Sequence, residues 1–232
     1  MGNSMTIIAF VSQKGGVGKS TLSRALAREA AANGLSVKIA DLDTQQGTSV
    51  DWNRKRLSAG IKPELAAESF ATAGQAIRVS NQFDVFILDG PARTSEATLE
   101  IARKADLVVQ PTGSSLDDLV PAVREFHGLV QRGVPKQKLV FALSRIGTET
   151  EEAESRDYLA RAGYAVLDGC LFERPGYRKA QNAGKSITET SFKQLNAQAD
   201  AIIQTLINRI GDDDGGPFET EEAQQPGRAT AS

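Results

Sequence analysis

Ten residues, Ser12–Thr21 (SQKGGVGKST), hold two lysines, three glycines and three hydroxyls. Glycines this close together let a backbone curl until its N–H groups converge on an anion. A lysine just after them can reach the β- and γ-phosphates of a nucleotide, and the hydroxyl that follows can ligate Mg²⁺. Lys19 and Ser20 fit those roles, Gly15, Gly16, Val17 and Gly18 form the cradle, and Thr21 is a further phosphate contact. The common spacing G-x-x-x-x-G-K-[ST] puts its first glycine at position 13, which here is Gln13. A Gly15–Gly16 pair behind an extra cation, Lys14, stands in its place.

Two carboxylate boxes follow apolar runs. VKIADLD ends in Asp41 and Asp43, and VFILDGP ends in Asp89. Carboxylates that follow buried parallel strands emerge on the sheet edge where phosphates bind, which places Asp41, Asp43 and Asp89 beside the glycine loop. Other chemistry is excluded by scarcity. His127 is the only histidine and Cys170 the only cysteine, which leaves no histidine metal site, no Ser-His-Asp triad and no internal disulfide. Both read as packing or surface residues, as does Trp52.

These residues need a scaffold, and strands alternate with helices along the chain. Apolar runs predict strands at 6–11, 37–42, 85–88, 107–110 and 138–143, with a sixth at 164–167 or reaching 171. Helical spacing predicts helices at 19–33, 49–57, 94–104, 116–131, 151–162 and 188–209, the last with Phe192, Leu195, Ala199, Ile202, Leu206 and Ile210 on its apolar face. This alternation implies a single-domain α/β P-loop fold, a mostly parallel twisted sheet with helices on both faces. The glycine loop falls between the first strand and first helix, so the helix dipole adds to the anion site. At 232 residues, 40% hydrophobic and 24% charged, the composition suits one globular domain.

The loop Lys14–Thr21 resembles the deviant Walker A box, KGGxGK[ST]T, of the ParA/MinD group of ATPases. The resemblance runs over about residues 6–207, with small plasmid-partition ParA proteins as the nearest type. It implies ATP and Mg²⁺ as cofactors and hydrolysis to ADP and phosphate. It also implies that Lys14 reaches across a homodimer formed on ATP binding to the partner's phosphates. A cation so far upstream of the cradle is poorly placed to fold back onto its own ligand and well placed to act across an interface. Asp41-Leu42-Asp43-Thr44-Gln45 resembles D-x-D-P-Q, which assigns Asp43 to the attacking water and Asp41 to the Mg²⁺ shell; Thr44 replaces the usual proline. Asp89-Gly90-Pro91-Ala92 resembles D-x-P-P, which assigns Asp89 to hold Mg²⁺ through water, and Leu143-Ser144-Arg145 resembles a stretch that flanks the adenine, which makes Arg145 a candidate base contact although Ser144 replaces the usual asparagine.

The same resemblance implies non-specific DNA binding through Arg178, Lys179 and Lys185, with Lys193 and Arg209 behind them, and a ParB-like or centromere-binding adaptor. Charge is compatible with this. Residues 211–232 carry six acidic groups against Arg228, net −5, and the remainder carries 26 basic and 23 acidic groups, net +3. Low hydrophobicity and high charge predict a disordered tail, so the chain divides into an extension at 1–5, an ATPase domain at 6–210 and an acidic tail at 211–232. That tail argues against a MinD-like membrane-bound switch, because anionic lipid repels it. A lone cysteine argues against a bridging iron–sulfur cluster. A nucleotide-dependent scaffold with little turnover is the remaining alternative. No secretory or membrane-spanning segment is visible, and MGNSMT, although it matches a myristoylation pattern, leads straight into a strand. The expected location is cytoplasmic, on the nucleoid when ATP is bound.

Overall fold

The computed structural model describes residues 5–92 and 95–211. Its elements in chain order are β1 (Thr6–Phe10), α1 (Lys19–Ala32), β2 (Val37–Asp41), α2 (Thr48–Ser58), β3 (Ala66–Ser69), α3 (Ala73–Ile77), β4 (Val85–Asp89) and α4 (Ser95–Lys104). There follow β5 (Leu107–Thr112), α5 (Leu116–Gln131), β6 (Leu139–Ile146), α6 (Glu149–Arg161), β7 (Ala165–Val166), β8 (Leu171–Phe172), α7 (Pro175–Asn182) and α8 (Lys193–Gly211).

The sheet order is β3-β2-β4-β1-β5-β6-β7, with β8 also on β6, and every pairing is parallel. Both faces of the central strands are covered, which is why they read as continuous apolar runs. Along β1, Ile8 and Phe10 pack toward α1 and α8, while Ile7 and Ala9 pack toward α4 and α5. Ile8, Phe10, Phe86 and Ile87 are all fully buried, each contributing about 1.5–3 kcal/mol. From β1 the chain crosses to β2 on one side and later to β5 on the other. The crevice at that reversal is where α/β sheets bind ligands.

Register brings the predicted carboxylates together. Asp41 lies opposite Asp89 across β2 and β4, and Phe10, where β1 ends, lies opposite Asp89 on the other side. The loops leaving β1, β2 and β4 therefore start from one level of the sheet.

Several expectations need correction. β3 is an edge strand of small and acidic residues (AAES), mostly exposed, so it carries no apolar run. The sixth strand is two short pieces, β7 and β8. Residues 175–182 form a helix, α7, with Pro175 at its first turn. The last helix starts at Lys193 because Ile187–Glu189 forms a separate 3-10 turn closed by a capping box from Ser186 to Glu189. Phe192 thus precedes the helix and is 56% exposed, whereas Ala199, Ile202 and Leu206 are buried and Leu195 is partly so. The side chain of Ile210, residues 1–4 and the acidic tail from 212 lie outside the described residues.

Candidate nucleotide site

The glycine loop runs from buried Ser12 to α1. Val17 is 5% exposed and anchors the loop, while Gly15 and Gly16 face outward. Gly18 ends the loop at φ 111°, and a Cβ there would lie 2.6 Å from Ser144 Oγ. Both the conformation and the space require glycine. The helical ladder of α1 opens with the Leu22 amide donating to the Gly18 carbonyl, 3.0 Å. The preceding amides of Lys19, Ser20 and Thr21 have no intrahelical acceptor and point their dipole at the loop.

Lys19 is buried, and its ammonium donates to the Lys14 carbonyl at 3.2 Å, spanning the hollow of the loop. Burial lowers its pKa, opposed by the charges of Asp89, Glu125 and Asp43. Asp89 is buried at the end of β4. Its Oδ2 accepts from Ser49 Oγ at 2.6 Å, and its Oδ1 has no protein partner. Burial pushes this carboxyl above its usual range, with Ser49 pulling it back and Asp41 adding to the rise. A buried unpartnered carboxylate oxygen beside a hydroxyl-bearing loop fits a hydrated Mg²⁺, which keeps most of its waters and takes only one or two carboxylates. Among the described residues no three His, Cys, Asp or Glu side chains form a metal cluster. Ser20 Oγ lies 3.3 Å from Thr48 Oγ1 at the start of α2.

Asp41, opposite Asp89, is held by backbone donors. Its Oδ2 accepts the Ser49 and Val50 amides at 2.8 and 3.4 Å, capping α2, and its Oδ1 accepts the Asp43 amide at 3.1 Å. It holds the loop that presents Asp43 and Ser49, and its oxygens are already engaged. Asp43 is half-buried, with Oδ1 accepting the Gln46 amide at 3.2 Å. Arg145 adopts φ 60°, unique among the described non-glycine residues, and its Nη1 donates to the Gly16 carbonyl at 3.2 Å.

Lys14 turns away from its own glycine cradle, toward the start of α5. Its ammonium pairs with Asp118 and donates to the Asp117 carbonyl at 3.4 Å, yet its side chain remains 49% exposed. Arg178 and Lys179 are exposed on α7, with Arg178 3.4 Å from Glu173, and Lys185 is exposed just beyond the helix. The fold therefore gathers residues 14–21, 41, 43, 89 and 145 around one crevice and puts the three basic candidates on and just beyond α7.

Three residues escaped the sequence reading. Ser49 links Asp89 to Arg24, whose Nε donates to Ser49 Oγ at 3.1 Å. Glu125 accepts the Gln13 amide at 3.2 Å and Gln110 Nε2 at 2.8 Å, tying the loop to α5. Glu125 had a signal, being a carboxylate in the helical stripe of Leu119, Ala122, Phe126 and Leu129; Ser49 and Arg24 had none.

A glycine loop between a central parallel strand and a helix, with a lysine across its hollow and a buried carboxylate at the neighbouring strand end, defines a P-loop nucleotide-binding protein. Residues 8–226 match the CobQ/CobB/MinD/ParA nucleotide binding domain, and the chain belongs to that family. It is 26% identical over 198 residues to the maintenance of carboxysome distribution protein A of Gloeobacter kilaueensis, covering 84% of this chain and 89% of that protein. It is 26% identical over 206 residues to the protein ParA of Rhizobium radiobacter, covering 84% and 90%. The fold matches the septum site-determining protein MinD of Pyrococcus horikoshii OT3 complexed with Mg-ADP, with TM-score 0.67, 17% identity and coverage of 91% and 97%. No helix among the described residues is long and apolar enough to cross a membrane.

Proposed function

We propose that this chain is an ATP-dependent partition or positioning ATPase that dimerises on ATP, binds DNA without sequence preference and is stimulated to hydrolyse by an adaptor protein. The observation that carries the reading is the pairing of a buried lysine, Lys19, with a second lysine, Lys14, on the exposed rim of the same loop. The relatives support it: one is a carboxysome-distribution protein and another a ParA.

Lys19 neutralises the β- and γ-phosphates while the free amides of α1 orient them. Ser20 and Asp89 are the residues that would hold Mg²⁺, with Asp41 fixing the loop beside them. When bound, the ion would neutralise charge developing on the phosphates. Asp43 orients the attacking water, and Arg145 closes the loop from the adenine side. Lys14 leaves Asp118 and enters the partner's site, so ATP favours the dimer. Dimerisation then presents Arg178, Lys179 and Lys185 from both protomers to DNA phosphates, with steep salt dependence. Hydrolysis removes the differential affinity and separates the dimer. The cycle is that of a cytoplasmic protein that visits the nucleoid.

Lys14→Gln tests the central step. Nucleotide affinity should change by less than about threefold, since the residue is not in its own cradle, while ATP-dependent dimerisation measured by sedimentation should be lost. A dimer that persists in this variant overturns the assignment. A low-turnover scaffold is the second reading, favoured by the bond that ties Asp43 to its own loop. Phosphate release that stays flat with and without DNA and adaptor would select it.

A further inference from the structure

Far from the crevice in sequence, α7 and the start of α8 enclose an open groove of about 750 Å³. Its floor is apolar, formed by Phe192 and Leu195, with Gly176 so close that a Cβ there would lie 2.6 Å from Leu195 Cδ1. Its rim carries three cations, Arg174, Lys179 and Lys193. None of the three pairs with a carboxylate among the described ion pairs, whereas neighbouring Arg178 does. An exposed phenylalanine ringed by unpaired cations calls for an anionic partner bearing an apolar side chain.

The chain carries such a segment: Phe218-Glu219-Thr220-Glu221-Glu222. Reach fixes which part of the acidic stretch can be used. α8 spans 19 residues from the groove to Gly211. At 1.5 Å per residue that is about 27 Å. A returning extended strand covers about 3.3 Å per residue, so eight residues, to Glu219, are needed to come level with Lys193. On such a path Asp212–Asp214 would fall short, and Phe218–Glu222 are the first apolar and acidic residues long enough in reach to come level with Lys193 and Leu195. We propose that this groove is the docking site for the chain's own segment Phe218–Glu222, with the carboxylates of Glu219, Glu221 and Glu222 on the basic rim. Tethering supplies an effective concentration near the millimolar range, so a weak intrinsic affinity is enough. The docked segment covers Lys179, so it competes with polyanions for this face; that consequence, unlike the docking itself, rests on the DNA reading above.

The tail itself holds an internal control. In the full chain, Glu219→Gln/Glu221→Gln/Glu222→Gln and Asp212→Asn/Asp213→Asn/Asp214→Asn remove the same charge, at reachable and unreachable positions. Amide hydrogen exchange of residues 192–195 and of α7 should quicken by about threefold or more in the first variant and stay at the wild-type rate in the second. Adding 0.5 M salt to the wild type should reproduce the first result. Equal rates in all three proteins overturn the docking, and equal acceleration in both variants overturns it in favour of a net-charge effect. A second arm measures affinity for a random-sequence duplex, which should tighten only in the first variant. If no protein binds the duplex, the DNA reading fails while the exchange result still decides the docking.

Discussion

Two regions of this molecule bury charged groups and treat them in opposite ways. Where α2 meets the Ser186–Glu189 turn, Arg56 is completely buried with its hydrogen-bonding capacity spent. Its guanidinium donates to the carbonyls of Pro63, Lys62 and Gly184 at 3.0, 2.9 and 3.4 Å and to both carboxylate oxygens of Glu189 at 3.0 and 2.6 Å. At the glycine loop, Lys19 meets one backbone carbonyl, and Asp89 and Glu125 each retain an unpartnered oxygen. A closed network holds a fold, whereas an open one is built to receive something. The difference separates a structural ion pair from a binding site more clearly than burial does, since both regions are buried.

The largest expected effect breaks the closed network. Arg56→Ala strands Glu189 and three carbonyls, so unfolding free energy should fall by about 3–5 kcal/mol in denaturant titrations. Nucleotide affinity of the folded fraction should be unchanged. Next comes the open site. Lys19→Ala should weaken ATP binding about 100-fold, near 2.8 kcal/mol, in a fluorescent-nucleotide titration. It should leave stability unchanged or higher, because a buried ammonium is removed rather than a satisfied pair. If both variants lose stability alike, the contrast between the two regions is wrong.

The pH response should differ in sign between them. Burial raises the Glu125 pKa above its ordinary 4.5, against the pull of the Gln13 amide. The folded protein therefore holds that proton more tightly than the unfolded chain. The associated stability is complete below about 4.5 and is lost as pH rises through the folded value. Glu189 behaves oppositely. Burial pushes it up, but hydrogen bonds from Arg56 and Ser186 and the charges of Arg56 and Arg28 prevail and lower it. Its contribution is present above 4.5 and lost as pH falls through the folded value. In thermal melts across pH 3–8, Glu125→Gln should lessen the decline on the alkaline side of pH 4.5, and Glu189→Gln the decline on the acid side. Matching slopes in the two variants would contradict the assignments.

The strand-loop-helix order and the carboxylates after apolar strands were legible because each depends on local pattern: glycine spacing, buried runs and the turn that follows. Asp41 and Asp89 could be placed on one edge, but their division of labour could not. That division depends on α2 turning its first amides onto Asp41 and its Ser49 hydroxyl onto Asp89. Glu125 sits 112 residues from the Gln13 amide it holds, so no spacing rule connects them. α7 was hidden by its composition, since PGYRKAQN buries only Tyr177 and Ala180 and reads as a basic turn. Phe192 was misplaced because an apolar residue one step before a helix continues its periodicity by chance.

The smallest expected effect concerns the backbone that closes the crevice. Arg145 holds a left-handed conformation at the irregularity in β6 between Ser144 and Ile146. Such a conformation costs a residue with a Cβ about 1–2 kcal/mol. Its side chain is 54% exposed and its ion pair with Glu173 is 3.5 Å long, so that pair returns little. The other contact made from this conformation is with the Gly16 carbonyl, 3.2 Å from Nη1. Arg145→Ala and Arg145→Gly both delete that contact, but only glycine relieves the strain, offset in part by its greater unfolded-state entropy. The glycine variant should therefore be more stable than the alanine variant by about 0.5–1 kcal/mol, while both bind nucleotide a few-fold more weakly than wild type. Equal stability of the two would show that the backbone at 145 is relaxed; unchanged nucleotide affinity would remove Arg145 from the open region altogether.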